Sequence, residues 1–132
     1  MTLKISRKTT LLYVFLGAFF WFVAAMFIKY GGPGIFQEGS HWIIVLFAAT
    51  LPLSWAFIRL TLAIGGVKTS DALAPVAIMC ATGMMMDGIA ISHFPALYGD
   101  SSGHVALGAA WLLWGVGVLI TMALYMQSKG RD

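Results

Sequence analysis

Residues 72–94 read ALAPVAIMCATGMMMDGIAISHF, and they give the clearest indication of how this chain folds. Its apolar residues follow one another without the alternation of a barrel strand, and Asp87 is its one charged residue. About 20 apolar residues in a helix are enough to cross the roughly 30 Å hydrocarbon core of a bilayer. The stretch therefore predicts a transmembrane helix that carries a carboxylate.

Three further segments of similar character occupy residues 10–28, 42–64 and 105–126. Backbone polar groups in lipid must be bonded within the structure itself, so continuous apolar segments predict helices. The segments are separated by residues that end helices, namely Tyr30-Gly31-Gly32-Pro33-Gly34, Gly65-Gly66, and Pro95 with Gly99. We predict an all-α polytopic membrane protein, with one domain over residues 1–132 folded as a four-helix transmembrane bundle.

The composition excludes an ordinary soluble domain. Hydrophobic residues make up 60% of the chain and charged residues 10%, whereas a soluble domain carries about 25% charged residues. The formal net charge of +3 comes from basic residues at the ends of the apolar segments, so it indicates topology rather than nucleic-acid binding. Lys29 alone falls on the opposite side. This asymmetry predicts that both termini are cytoplasmic, with the lipid bilayer as a partner.

Local features predict how the helices begin and pack. Thr69-Ser70-Asp71 offers an N-cap for the third helix, and Pro75 still falls in its first turn. Small residues on one helix face let membrane helices approach closely. Such faces are formed by Gly17, Ala24 and Ile28 on the first helix, by Ala77, Ala81 and Gly88 on the third, and by Gly108, Trp111, Gly115 and Val118 on the fourth.

Asp87 is the residue that most requires a functional explanation. A carboxylate at membrane depth costs about 3 kcal/mol, so it usually faces protein or water. At 1.5 Å per residue, Asp87 lies about 24 Å above the cytoplasmic start of its helix, in the outer third of the membrane. Arg59 falls near the cytoplasmic boundary, where it snorkels or pairs with Asp71. The predicted polar pocket around Asp87 comprises Lys29, Trp111, Trp21 and His93, with the first three as candidate partners of the carboxylate.

Two interpretations of this pocket stay open at this point. In the first, the polar groups form a clamp that fixes the register of the helices. In the second, they bind a ligand, a proton or an ion, as intramembrane carboxylates do in transporters.

All three histidines are predicted on the outer side of the membrane. His41 opens the second helix, His93 closes the third and His104 opens the fourth, with Glu38 and Asp100 in the same layer. Imidazoles and carboxylates that converge could bind a transition metal. However, no pair has the i,i+3 or i,i+4 spacing of two ligands on one helix face. The histidines are therefore weak metal candidates, and the sequence leaves any cofactor unknown.

The second half of the chain resembles an uncharacterised family of small four-helix bacterial membrane proteins. The resemblance rests on residues 83–88 (GMMMDG), 94–99 (FPALYG) and 110–115 (AWLLWG), and it covers residues 77–132. It implies a bacterial inner (cytoplasmic) membrane and a motif acid at Asp87, and it implies no activity. The first span holds no acid, unlike that of the small multidrug exporters, which weakens an analogy with them.

These features predict a non-enzymatic protein that binds or transports a small solute or cation at an outer-leaflet pocket around Asp87. Because short helices enclose little volume, we expect a homo-oligomer or a membrane-protein partner. The alternative is a structural or accessory subunit of a larger membrane complex, with Asp87 as a packing clamp. An enzyme is disfavoured because no nucleophile–base pair or phosphate-binding loop can be read in the sequence.

Overall fold

The computed structural model describes residues 6–31, 34–37 and 39–131. These residues form four α-helices and two short 3₁₀ turns, and no strand. The helices are α1 (Arg7–Gly31), α2 (Trp42–Gly65), α3 (Leu73–His93) and α4 (Ser102–Arg131), and the turns are Thr69–Asp71 and Pro95–Leu97. All four helices are long and apolar enough to cross a membrane. The predicted helical class is thereby confirmed.

The helices pack as two pairs that are not neighbours in the chain. α1 packs chiefly against α3, α2 packs chiefly against α4, and α3 contacts α4 between the pairs. Consecutive α1 and α2 contact each other much less. We call the region where α1 and α3 end and α2 and α4 begin the His104 end. The opposite region, where α1 begins and α4 ends, is the terminal end.

The first and last helices extend beyond the predicted apolar segments. α1 was expected over residues 10–28 and occupies Arg7–Gly31, while α4 was expected over 105–126 and occupies Ser102–Arg131. The added turns carry Lys8, Lys29 and Lys129. Lysine has good helix propensity, so these helices continue past the apolar residues that defined the prediction.

An apolar core fills the half of the bundle nearest the terminal end. We call it the terminal core, and its fully buried members come from all four helices and the turn before α3. They include Tyr13, Ile58, Leu62, Ala72, Val76 and Ala123. The hydroxyl of Tyr13 donates to the backbone carbonyl of Thr61 at 2.8 Å, which joins α1 to α2 and leaves no polar atom of the ring unpaired.

Backbones of α1 and α3 come together at Gly17. A Cβ placed on Gly17 would lie 2.9 Å from the carbonyl oxygen of Met79 and 3.0 Å from its Cα. No side chain fits there, so the predicted role of Gly17 in close helix approach is confirmed. On α4, a Cβ on Gly108 would meet Ile28 at 2.6 Å, and this glycine too has a packing reason.

The small-residue face predicted on α3 does not pack inside the chain. Ala77, Ala81 and Gly88 are exposed, and a Cβ on Gly88 would meet nothing within 4 Å. The expectation of a close contact along this face within the described residues is therefore wrong. Helix α3 uses the line through Val76, Cys80 and Ala90 for its internal packing instead.

The start of α3 differs from the prediction, and the end of α2 agrees with it. Thr69–Asp71 forms a 3₁₀ turn rather than a cap, and the amide of Leu73 donates to the side-chain oxygen of Gln127 at 3.0 Å. The cap is thus supplied by α4, which is distant in sequence. At the end of α2, Gly66 adopts φ +65°, and Val67 donates to Leu62, which closes the helix as the Gly65-Gly66 pair predicts.

Large apolar side chains cover the outside of the bundle. Leu11, Phe15, Ile44, Met85 and Leu113 are each between 62% and 69% exposed, and they are distributed over all four helices. A monomeric soluble protein rarely exposes apolar surface on this scale, so the outer surface suits a hydrocarbon environment.

Candidate functional site

Asp87 accepts a hydrogen bond from a tyrosine that the sequence analysis did not select. The hydroxyl of Tyr98 lies 2.6 Å from Oδ1 of Asp87, a short distance typical of a hydroxyl that donates to a carboxylate. Asp87 is half-buried, whereas Tyr98 is fully buried. The carboxylate therefore has a neutral donor fixed against one of its oxygens.

Trp21 extends this contact to α1. Its indole N–H donates to the hydroxyl oxygen of Tyr98 at 2.9 Å. The hydroxyl is therefore both acceptor and donor, and its hydrogen is directed toward Asp87. We call Trp21, Tyr98 and Asp87 the relay. The relay joins α1 to α3 by way of the segment between α3 and α4.

The local fold explains how Tyr98 reaches back to Asp87. Helix α3 ends at His93, and Pro95 begins a 3₁₀ turn that reverses the chain. The amide of Tyr98 donates to the carbonyl of Pro95 at 2.9 Å, which closes this turn. Tyr98 is thereby placed among the buried residues of the His104 end. These residues, which we call the His104 core, include Ala25, Ile28, Phe36, Ala90 and Val105.

Burial raises the pKa of Tyr98 above its usual value of 10.0, and the hydrogen bond to Asp87 raises it further. A phenolate here would be unsolvated and would lie beside a carboxylate. Tyr98 therefore stays a hydrogen-bond donor throughout the physiological pH range.

The predicted partners of Asp87 are only partly brought together. Trp21 reaches it through Tyr98. Trp111 does not: its indole N–H donates to the hydroxyl of Thr50 at 2.9 Å, so the predicted contact with Asp87 is wrong. Lys29 is not a partner of Asp87 either. Its ammonium lies 5.3 Å from the centre of the Tyr30 ring, and the described part of the chain shows no ion pair between Lys29 and Asp87.

The three histidines do not converge on a shared site. His104 has Nε2 at 2.7 Å from the carbonyl oxygen of Ile28, so this nitrogen carries a hydrogen and caps the last turn of α1. His93 is exposed, with Nδ1 at 3.2 Å from the carbonyl of Ile89, and His41 is exposed at the start of α2. Within the described ranges, no three His, Cys, Asp or Glu side chains are grouped to hold a metal ion. Glu38, predicted in the same layer, lies outside those ranges.

Arg59 lies in the half of α2 toward the terminal end, as its position in the sequence predicts. Its guanidinium is 5.4 Å from the ring centre of Trp55, one turn earlier on the same helix. Arg59 is exposed, so this contact holds its charge at the surface of the bundle. It takes no part in the relay.

An open cleft of about 360 Å³ lies at the His104 end, beyond the relay. We call it the cleft. Its lining combines the last turn of α1, part of the connection to α2 and the start of α4. The lining residues are Lys29, Phe36, Gln37, Asp100, Ser101, Gly103 and His104. The side chain of Ser101 already accepts the amide of His104 at 3.1 Å, as an N-cap of α4 does.

Sequence reasoning missed Tyr98 and the Thr50–Trp111 pair for different reasons. Tyr98 lies in a connection, where depth arithmetic along helices has no meaning, and no signal in the sequence aims it at Asp87. Thr50 is eight residues after the start of α2, and Trp111 is nine after the start of α4. Both helices begin at the same end, so equal depth was a signal that could have matched these two residues.

Residues 35–130 match a protein family of unknown function, DUF5367. This match covers most of the chain, and the protein therefore belongs to that family. The match is consistent with the predicted membership of an uncharacterised family, and it begins well before residue 77. Searches of curated proteins and of solved structures found no match for this chain.

Proposed function

We propose that this protein is a non-enzymatic membrane protein that binds a small cation, a proton or a cationic solute at Asp87. One observation carries the proposal. Asp87 is a half-buried carboxylate whose hydrogen-bond partner, Tyr98, is neutral, and no cationic side chain of the described residues pairs with it.

An unpaired carboxylate in a membrane protein is costly, and a bound cation or proton removes much of that cost. Among the described residues, no neighbouring helix covers the turn of α3 that precedes Asp87. Gly83 lies one turn before Asp87 on the same face of α3, and a Cβ on Gly83 would meet nothing within 4 Å. Tyr98 holds one carboxylate oxygen in place, so the geometry of the candidate ligand group is fixed on that side.

The membrane setting follows from the apolar surface and the basic residues. We propose insertion in a bacterial inner membrane with the terminal end in the cytoplasm, because Arg7, Lys8, Lys68 and Lys129 lie toward that end. Asp87 then lies about 9 Å below the outer end of α3. A single bundle encloses little space, so a transport pathway would require a homo-oligomer or a partner subunit.

The test is the effect of cations on the stability of the purified protein. Thermal unfolding would be followed in detergent at constant ionic strength, with sodium, potassium and ethylammonium chlorides compared with N-methylglucamine chloride. Protons would be tested in proteoliposomes that enclose a pH-sensitive dye. We expect either that at least one cation raises Tm or that the proteoliposomes show a proton flux. Asp87→Asn should abolish whichever response is seen.

Tyr98→Phe is the matched control, because it breaks the relay and leaves the carboxylate. A ligand site predicts that Tyr98→Phe still responds to the cation or proton. Equal loss of stability in both variants, with no response in the unmodified protein, would establish a structural clamp and overturn the proposal.

The second candidate is an accessory subunit of a larger membrane complex. It is favoured by the exposed face of α3, where Ala77, Ala81 and Gly88 would let another helix approach closely. Purification from the native host in mild detergent should then recover a stoichiometric partner. Replacement of Ala81 by Phe should release that partner, whereas Leu113→Phe on α4 should not. Recovery of the chain alone, or only of its own oligomer, would contradict this role.

A further inference from the structure

The cleft at the His104 end carries both signs of charge. Lys29 comes from the last turn of α1, and Asp100 comes from the connection between α3 and α4. Their charged atoms do not approach within the 4.0 Å of an ion pair. Neither forms an ion pair among the described residues, and the Lys29 ammonium lies 5.3 Å from the centre of the exposed Tyr30 ring, a weak surface contact that a bound oxyanion can replace.

The arrangement disfavours simpler ligands. An anion near Lys29 would also feel the Asp100 carboxylate, and a lone cation near Asp100 would feel the Lys29 ammonium. A transition metal is poorly served here: Nε2 of His104 donates to the carbonyl of Ile28, so that ring could offer only Nδ1, and the described residues bring no three His, Cys, Asp or Glu side chains together. A molecule with separated positive and negative groups satisfies both side chains together.

Size and lining agree with a small polar molecule. A volume of about 360 Å³ lies at the lower end of the range for ligand pockets. Gln37 adds an amide that can donate or accept. Phe36 is 1% exposed and forms a rigid apolar wall. The centre of its ring lies 6.2 Å from the ring centres of both Phe27 and Trp111.

We infer that the cleft binds a small zwitterion, with its oxyanion against Lys29 and its primary ammonium against Asp100. The phosphoethanolamine group has this chemistry, either free in solution or as the headgroup of a lipid in the adjoining leaflet. The site is distinct from Asp87 and does not depend on the function proposed for that residue.

The first experiment measures binding of free phosphoethanolamine to the protein in phosphatidylcholine nanodiscs, by isothermal titration. Phosphocholine, inorganic phosphate and ethylammonium are the comparison probes. We expect each to bind about tenfold more weakly or worse, because each loses a charge-assisted hydrogen bond to Asp100 or Lys29. The second arm incorporates phosphatidylethanolamine into the nanodiscs and counts the lipid retained on the protein by native mass spectrometry.

Variants test the assigned orientation. Lys29→Met and Asp100→Asn should each weaken phosphoethanolamine binding by about tenfold, and Asp100→Asn should improve inorganic phosphate relative to the zwitterion. The double exchange of Lys29→Asp with Asp100→Lys should restore zwitterion binding in the reversed orientation. Lys68→Met, at the terminal end, is the control with the same change of charge and should bind as the unmodified protein does.

The inference is supported if either arm shows binding that Lys29→Met and Asp100→Asn weaken as expected. The arm that responds identifies the source of the ligand. The inference is overturned if neither arm shows binding, if phosphate alone binds as tightly as phosphoethanolamine, or if Lys68→Met loses as much affinity as Lys29→Met. Circular dichroism of each variant confirms that the helices are retained, which is expected because Asp100 is exposed and Lys29 is only partly buried.

Discussion

The two halves of the bundle are built from the same four helices, and they differ in the side chains that fill the space between those helices. The terminal core is apolar, and its helices approach until the backbone of Gly17 touches that of Met79. The His104 core contains Tyr98, which joins Trp21 and Asp87 in the relay, and it adjoins the cleft. In the first half, buried polar side chains bond to the backbone, whereas the second half holds a carboxylate against a buried tyrosine.

Tyr13 and Tyr98 make the contrast concrete, because both rings are completely buried. Tyr13 donates to a backbone carbonyl, which is neutral and belongs to an adjacent helix. Tyr98 donates to a carboxylate that has no cationic partner among the described residues. The same residue type satisfies its own hydroxyl in one half and fixes a charged group in the other. Burial of a tyrosine hydroxyl does not by itself mark a functional site; the group that accepts its hydrogen bond makes the difference.

The largest expected effect breaks the packed half. Gly17→Leu would force α1 and α3 apart, because even a Cβ at this position overlaps the Met79 backbone. We expect a loss of about 3 kcal/mol or more in the free energy of unfolding, measured in detergent by thermal denaturation. Gly83→Ala on α3 is the control, since its Cβ would meet nothing within 4 Å. A small loss for Gly17→Leu would show that the helices do not approach as described.

Exchanging each tyrosine for phenylalanine compares the halves directly. Tyr98→Phe removes a hydrogen bond to a charged group and should cost about 2 kcal/mol. Tyr13→Phe removes one to a neutral carbonyl and should cost about 1 kcal/mol. Chemical denaturation of both variants gives the two values. If Tyr13→Phe proved the more harmful, the distinction between a structural and a site tyrosine would fail.

A smaller effect is expected at the cap of α3. Gln127→Leu keeps the size of a buried side chain but leaves the Leu73 amide without its acceptor. The expected cost is about 1 kcal/mol, with faster amide hydrogen exchange at the start of α3. Exchange at the start of α4 should be unchanged, because Ser101 caps that helix independently. Uniform exchange across both helices would contradict the assigned cap.

The smallest effect is a pH dependence at high pH. Because the pKa of Tyr98 is raised in the folded protein, the unfolded state loses its tyrosine proton first as the pH rises. The contribution of Tyr98 to stability is therefore complete below about pH 10 and declines above it. Tm of the unmodified protein should fall more between pH 10 and pH 11 than Tm of Tyr98→Phe. Parallel curves for the two proteins would show that Tyr98 titrates normally.

Much of the architecture could be predicted because hydropathy acts along a single helix. The number, class and approximate limits of the helices followed from the length of the apolar segments, and so did the helix-ending role of Gly65-Gly66. Asp87 could be singled out from the cost of a charge among apolar residues. Of its predicted partners, Trp21 is connected to it through Tyr98, whereas Trp111 and Lys29 are not, because matching depth and a free donor do not say which faces of two helices meet.

Four apolar helices, their order along the chain and a carboxylate within the third can therefore be read from the amino-acid sequence. These properties depend on neighbouring residues and on the solvent that each segment prefers. The three-dimensional packing was needed to show that α1 pairs with α3, that Gln127 caps a helix more than 50 residues away, and that Tyr98 turns back onto Asp87. Such contacts depend on helix rotation and on the path of a connection, which the packing of the whole bundle fixes.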